Sequence, residues 1–344
     1  MSKNARAKKS NRNRLAAHPQ DALALLARCF AWCVIAATAA FLLNNYLTNW
    51  RGWPGPTTLF SGRADADILL PLMQAGLYVA GIAISIGAVL ATRSRMLRPD
   101  CEIIFSITAY IIRAAFWAVF LIGLADMAVS FLRVEGLLPQ LFGDKLAIDL
   151  GRSNFRGLYV HFPMAALGLG IAAFHRGLGF PWLALLVVGA ELLIVLTRFI
   201  FSYEQAFMSD LVRFWYASLF LFSSAYTLLE EGHVRVDVLY SSFSAPTKGM
   251  INALGSVFLG ISLCAVILFY GMEGKSTIIN GPLLIFETTQ TGFGMYVKYW
   301  MAGFLGIFAV SMLIQFAGYF LEGVADYRGD PDKRVQDSEG ALEA

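Results

Sequence analysis

Long stretches that carry almost no charge constrain this chain more than any other feature of its sequence. Windows of about 19 residues place them near residues 26–48, 68–92, 102–132, 156–174, 180–202, 210–230, 249–272 and 296–322. The hydrocarbon core of a bilayer takes roughly 20 apolar residues of helix, and each run comes to about that length. A core strand of a soluble sheet is much shorter, and the breaks between the runs carry Arg, Asp, Pro and Gly, as loops between helices do. Composition agrees, since 57% of the 344 residues are hydrophobic and 15% charged, against about 25% charged in soluble domains. The expected fold is therefore all-α, a polytopic membrane helical bundle of about eight transmembrane helices.

Lys and Arg give an orientation. Lys3, Arg6, Lys8, Lys9, Arg12 and Arg14 form a polybasic start that the positive-inside rule keeps in the cytoplasm. Arg93, Arg95 and Arg98 in the second connection then lie inside too, and eight crossings return the C-terminal tail to the same side. The first apolar run, from Ala22 to Leu43 and broken only by Arg28, is too long for a signal-peptide core and reads as an uncleaved first span. The basic tail accounts for much of the net charge of +3 and suits contact with anionic membrane lipid, not nucleic acid. Cys29 and Cys33 sit one helical turn apart, but a structural zinc site needs four ligands and no second pair exists. No metal and no cofactor is expected, and no phosphate-binding glycine loop, Ser/His/Asp set or His-Glu-x-x-His motif points to an enzyme.

A shift of 137 residues brings two parts of the chain into register. Tyr159-Val-His-Phe-Pro-Met-Ala165 falls on Tyr296-Val-Lys-Tyr-Trp-Met-Ala302, Arg98-Pro-Asp100 on Arg235-Val-Asp237, and Asp67 on Glu204. Two readings stand: a parallel duplication of four helices, as several transporters have, or chance likeness among apolar helices that share a small alphabet.

The stretch Ala225-Tyr-Thr-Leu-Leu-Glu-Glu-Gly-His-Val-Arg-Val-Asp-Val-Leu-Tyr240 resembles the signature of the small permease subunit of tripartite ATP-independent periplasmic (TRAP) transporters, the DctQ-like subunit. Arg198-Phe-Ile-Phe201, closing the span before it, and the acids Glu204 and Asp210 add to the resemblance, which covers roughly residues 180–325. It implies a division into a basic cytoplasmic tail (1–24), an N-terminal four-helix membrane region that is a candidate diverged repeat (25–178), a small-permease-like four-helix domain (179–326) and a polar cytoplasmic tail (327–344). It further implies a large TRAP permease subunit and a periplasmic solute-binding protein as partners, a multi-pass place in the bacterial inner membrane with both termini cytoplasmic, and ion-gradient-driven uptake of organic acids. On that reading this subunit is a scaffold and the large one holds the transport site. The alternative is a self-sufficient channel or carrier.

Gly232 is suited to end its helix, and the alternation of His233, Arg235 and Asp237 with valines suits a segment in the membrane interface that latches subunits together. Arg198, Glu204 and Asp210 join Gly232, His233, Arg235 and Asp237 as candidate interface or structural residues. Charges inside spans cost roughly 2.5–3.5 kcal/mol each on insertion scales, which singles out Arg113, Asp126 and Glu191. They read either as an ion or proton path or as pairing between helices or with a partner subunit. Two decoys fall away. Thr289-Gln-Thr-Gly-Phe-Gly294 lacks a pore helix leading into it and so reads as an external loop. His161 and His175, fourteen apart, lack the second helix with a matching pair that stacked haems require.

Overall fold

The computed structural model describes residues 22–60, 68–176, 180–203, 206–229, 240–289 and 294–331. Among these residues it has ten helices and no strand: α1 (Ala22–Asn49), α2 (Leu69–Ala91), α3 (Leu97–Val134), α4 (Leu138–Leu150), α5 (Ser153–Phe174), α6 (Phe180–Ile200), α7 (Ala206–Leu229), α8 (Ala245–Met272), α9 (Asn280–Ile285) and α10 (Lys298–Arg328). Six of them, α1, α2, α3, α5, α8 and α10, are long and apolar enough to cross a membrane by length and composition alone. Helices α6 and α7, of 21 and 24 residues, stand where the fifth and sixth apolar runs predict them. The protein is thus an all-α, multi-pass membrane protein.

Two short helices fall outside the apolar runs. α4 carries a proline in its first turn and is kinked at Gly143; α9 is six residues long and ends at Phe286 in the left-handed region. Neither approaches the roughly 20 residues that a crossing needs. With them in place, each half of the chain has one element order: three long helices, a short one, and a fourth long one.

The chain divides into two compact units that do not follow the two halves of the sequence. One comprises residues Met1–Phe105, Val234–Ser262 and Leu313–Ala344; the other comprises Ser106–His233 and Leu263–Met312. Each unit therefore draws on the N-terminal region and on the C-terminal one.

In the first unit α1 and α2 form an antiparallel pair fastened by Gln74, which is wholly buried. Its side-chain carbonyl accepts the Gly55 N–H at 2.9 Å, its amide donates to Thr48 Oγ1 at 2.9 Å, and its backbone carbonyl accepts from Asn44 at 3.0 Å. A buried amide with these bonds filled fixes the register of the two helices. Elsewhere in the unit, α8 and α10 approach backbone to backbone. A Cβ on Gly249 would lie 2.5 Å from the Tyr327 nitrogen and 2.6 Å from the Gly323 oxygen, and one on Gly323 would lie 2.8 Å from the Ala253 nitrogen. Lipid tails are as apolar as leucine, so such close packing of small residues is what holds membrane helices together.

The second unit has an aromatic and aliphatic core in which Val119 and Ile122 of α3, Val187 and Ala190 of α6, Leu211, Phe214 and Phe222 of α7 and Phe304 of α10 are buried together. Phe304 sits between Phe214 and Phe222, with ring centroids 5.1 Å from each.

Candidate functional site

Buried charge marks both units. In the second, Asp126 on α3 is the hub. Its Oδ1 accepts from Arg156 Nη1 at 2.9 Å and from His161 Nε2 at 3.1 Å, while Oδ2 accepts the backbone N–H of Tyr296 at 2.7 Å. Asp126, Arg156 and His161 have no exposed surface. A carboxylate only accepts, so His161 donates through Nε2; a neutral imidazole then accepts through Nδ1, which lies 2.6 Å from the Tyr299 hydroxyl. Local backbone sets up this convergence. Arg156 and His161 stand at the two ends of a widened helical turn, Gly157–His161, within α5, and such turns redirect side chains that a regular helix would send elsewhere.

Arg156 is held through Nε and Nη1, while its buried Nη2 has no acceptor among the described residues. Nε donates to the Leu150 carbonyl at 2.5 Å, Nη1 also reaches Ser130 Oγ at 3.0 Å, and the guanidinium lies over the Tyr296 ring with its carbon 4.3 Å from the centroid. Arg133, at the end of α3, stacks on the same ring at 4.7 Å, donates to the Gly294 carbonyl at 3.0 Å and bonds the Tyr296 hydroxyl. That hydroxyl in turn donates to the Gly151 carbonyl at 3.0 Å. One aromatic ring thus seats two guanidinium groups, an arrangement that suits Arg and not Lys because the flat cation stacks. Residues from both members of the sequence likeness meet here, His161 from the first and Tyr296 and Tyr299 from the second.

The first unit has its own pair. Arg28 and Asp100, each 1% exposed, meet at 2.8 Å. Arg28 also donates to the Thr92 carbonyl and hydroxyl, each at 2.8 Å, and Trp32 donates to Asp100 at 3.0 Å. The arginine so caps carbonyls at the end of α2, where a cation is favoured. Two residues before Asp100, Arg98 bonds Asp326 at 2.9 Å and the Pro331 carbonyl at 2.9 Å. The Arg98-Pro99-Asp100 step therefore ties the start of α1, the α2–α3 connection and the end of α10 together within this unit.

The other sequence-derived candidates are distributed differently. Asp210, nearly buried at the start of α7, accepts the Met295 N–H at 3.0 Å and lies 3.9 Å from Arg213. Arg113, midway along α3, is partly buried, and its Nε has no acceptor among the described residues. Glu191 and Arg198 on α6 are both exposed. Glu204, Gly232, His233, Arg235 and Asp237 lie outside the described residues, as do most of the Thr289–Gly294 loop and the basic start of the chain. His175, weighed above as a haem ligand, is exposed at the end of α5 and packs edge-on to Trp117. Beyond the spans, the Tyr203 hydroxyl donates to Glu135, and that carboxylate pushes the phenol pKa up to about 12.

Sequence reasoning singled out Asp126 but not its partners. Arg156 opens the fourth apolar run and Arg28 is the one break in the first, and neither drew a reading from the sequence. A lone arginine within an apolar run, with an acid within or just before another run, is the signal that finds both pairs.

Such clusters hold helices in place: each carboxylate faces an arginine, and each arginine also bonds a backbone carbonyl of this same chain. Comparison with known proteins finds a likeness over the C-terminal part of the chain. The model described as "Tripartite ATP-independent periplasmic transporters, DctQ component" matches residues 186–326. Neither curated proteins nor solved structures give a match. The chain is DctQ-like over residues 186–326, a small-permease region of the TRAP transporter type, with a helical extension ahead of it.

Proposed function

We propose that this chain is the small membrane subunit of a TRAP-type secondary transporter, a scaffold for a large permease subunit that takes organic acids from a periplasmic solute-binding protein and moves them on an ion gradient. The observation that carries the reading is the DctQ match over residues 186–326. The state of the buried charges supports a scaffold role: Asp126 and Asp100 are each committed to an arginine, and a fixed pair is poorly suited to carry an ion from one face to the other.

On this proposal the chain sits in the bacterial inner membrane with both termini cytoplasmic. The Arg28–Asp100 and Arg98–Asp326 bonds support termini on one face, because through the first turn of α3 they link the start of the first long helix to the end of the last. The extension would be a diverged second copy of the four-helix unit, a reading supported by the repeated element order. Arg98-Pro99-Asp100 then occupies the place of Arg235-Val236-Asp237, and its bonds to Asp326 and Arg28 are a precedent for the latch role of that motif.

The test is purification of the tagged full chain from native membranes. Recovery with a larger multi-span permease supports the proposal. A chain that purifies alone as a stable oligomer and transports in liposomes would overturn it in favour of a self-sufficient channel or carrier.

A further inference from the structure

We infer that the outward face of α6, centred on Glu191, docks a transmembrane helix of the large permease subunit that presents a cationic side chain to it. This rests on the small-subunit reading and adds to it the surface and the chemistry of the contact.

Helix α6 has two unlike sides. Val187 and Ala190 pack into the core of their unit, while Val188, Leu192, Val195 and Phe199 are exposed. Their spacing of three and four residues makes one continuous stripe along the helix. Lipid alone satisfies such a stripe. It does not satisfy Glu191, which is exposed beside it and stands about eleven residues from the start of the 21-residue helix and about nine from its end. At 1.5 Å per residue that is roughly 14–16 Å from either end; with α6 crossing as the fifth apolar run predicts, this is the middle of a hydrocarbon core about 30 Å thick. A glutamate side chain is too short to reach the head groups from there.

No hydrogen bond or ion pair joins Glu191 to another described residue. The contrast with Asp126 and Asp100 is direct, since both are buried against an arginine of this chain. Acids at membrane depth face a protein interior or a water-filled path and pair with a counter-charge; for an outward-facing acid that counter-charge belongs to another helix.

The experiment co-expresses the full chain with the large permease subunit and reads two things. A photo-crosslinking residue at Leu192, with Glu191 left in place, should give an adduct with the permease in intact membranes. Glu191→Leu should lower recovery of the permease with the tagged chain by about threefold to tenfold, the effect of losing one interhelical polar contact, with a smaller fall for Glu191→Gln. If the wild-type chain recovers the permease but Leu192 crosslinks only to lipid, and Glu191→Leu leaves recovery unchanged or improved, α6 is not the docking face and the small-subunit reading survives. An adduct between two copies of this chain, which has its own mid-span cation in Arg113, would also overturn the inference. Failure of the wild-type chain to recover any permease sinks both readings. Crosslinking from Leu192 decides the matter even where Glu191→Leu fails to accumulate.

Discussion

The Asp126 carboxylate accepts the backbone N–H of Tyr296 at 2.7 Å across 170 positions of sequence. Asp126 belongs to the extension and Tyr296 to the region that the DctQ family covers. Any residue but proline at position 296 supplies this backbone donor, so the bond fixes where the last long helix begins. The extension supplies part of the packing of the DctQ-like region and is not merely appended to it.

Removing the extension should therefore damage what remains. A chain lacking residues 1–178 loses Asp126, Arg156 and His161 together, leaving the Tyr296 N–H and the Tyr299 hydroxyl without these partners. Each buried polar group so orphaned costs about 1–3 kcal/mol. In size-exclusion chromatography after detergent extraction, the truncated chain is expected to aggregate where the full chain gives a single peak. A monodisperse truncated chain that still binds the permease would show that residues 179–344 stand alone.

Single substitutions in the cluster should be costly and their combination less so. Asp126→Leu leaves Arg156 buried without its counter-charge, a loss of about 3–5 kcal/mol. Arg156→Leu leaves the carboxylate in the same position. The double variant removes both charges and should recover part of the stability, though the His161 and Tyr296 donors still lose their acceptor. Thermal unfolding in detergent, followed by tryptophan fluorescence, measures the cycle, and strict additivity would contradict the pairing.

Arg28 offers a test of shape against charge. Its guanidinium spans Asp100 and the Thr92 carbonyl and hydroxyl at once, a fork that an ammonium cannot reproduce. Arg28→Lys should lower stability by about 1–3 kcal/mol, the range for a lost charge-assisted bond in a buried site, and Arg28→Met by more. Equal melting curves for Arg28→Lys and the wild-type chain would show that charge alone suffices.

The crossing of α8 and α10 should tolerate almost nothing larger than glycine. At Gly249 the added atom meets backbone, which cannot move aside as a side chain can. Gly249→Ala and Gly323→Ala should each weaken the fold, and either residue changed to Leu should force the helices apart. A doubly cysteine-substituted chain with one cysteine on each helix near the crossing reports this directly, since disulfide yield should fall from Gly to Ala to Leu.

Much of the architecture was legible because the bilayer imposes a length. Every apolar run near 20 residues became a helix at its expected place, and the Gly-His-Val-Arg-Val-Asp stretch carried the DctQ resemblance, within the residues the family model matches. The short helices α4 and α9 were missed because windows of about 19 residues average them into their flanks. Pairing was harder still. Arg28 and Asp100 are 72 positions apart, and nothing local in either segment specifies the other; only the folding back of α2 brings them together. His161 suggested a haem ligand by its spacing from His175, whereas its bonds run to Asp126 and Tyr299, a partnership made by tertiary packing.

Uptake by the reconstituted complex tests the scaffold account most directly. Liposomes carrying the large permease with this chain, supplied with the solute-binding protein and an inward sodium gradient, should accumulate an organic acid. Liposomes carrying either membrane subunit alone should not. Full uptake by the permease without this chain, or uptake by this chain without the permease, would contradict the account.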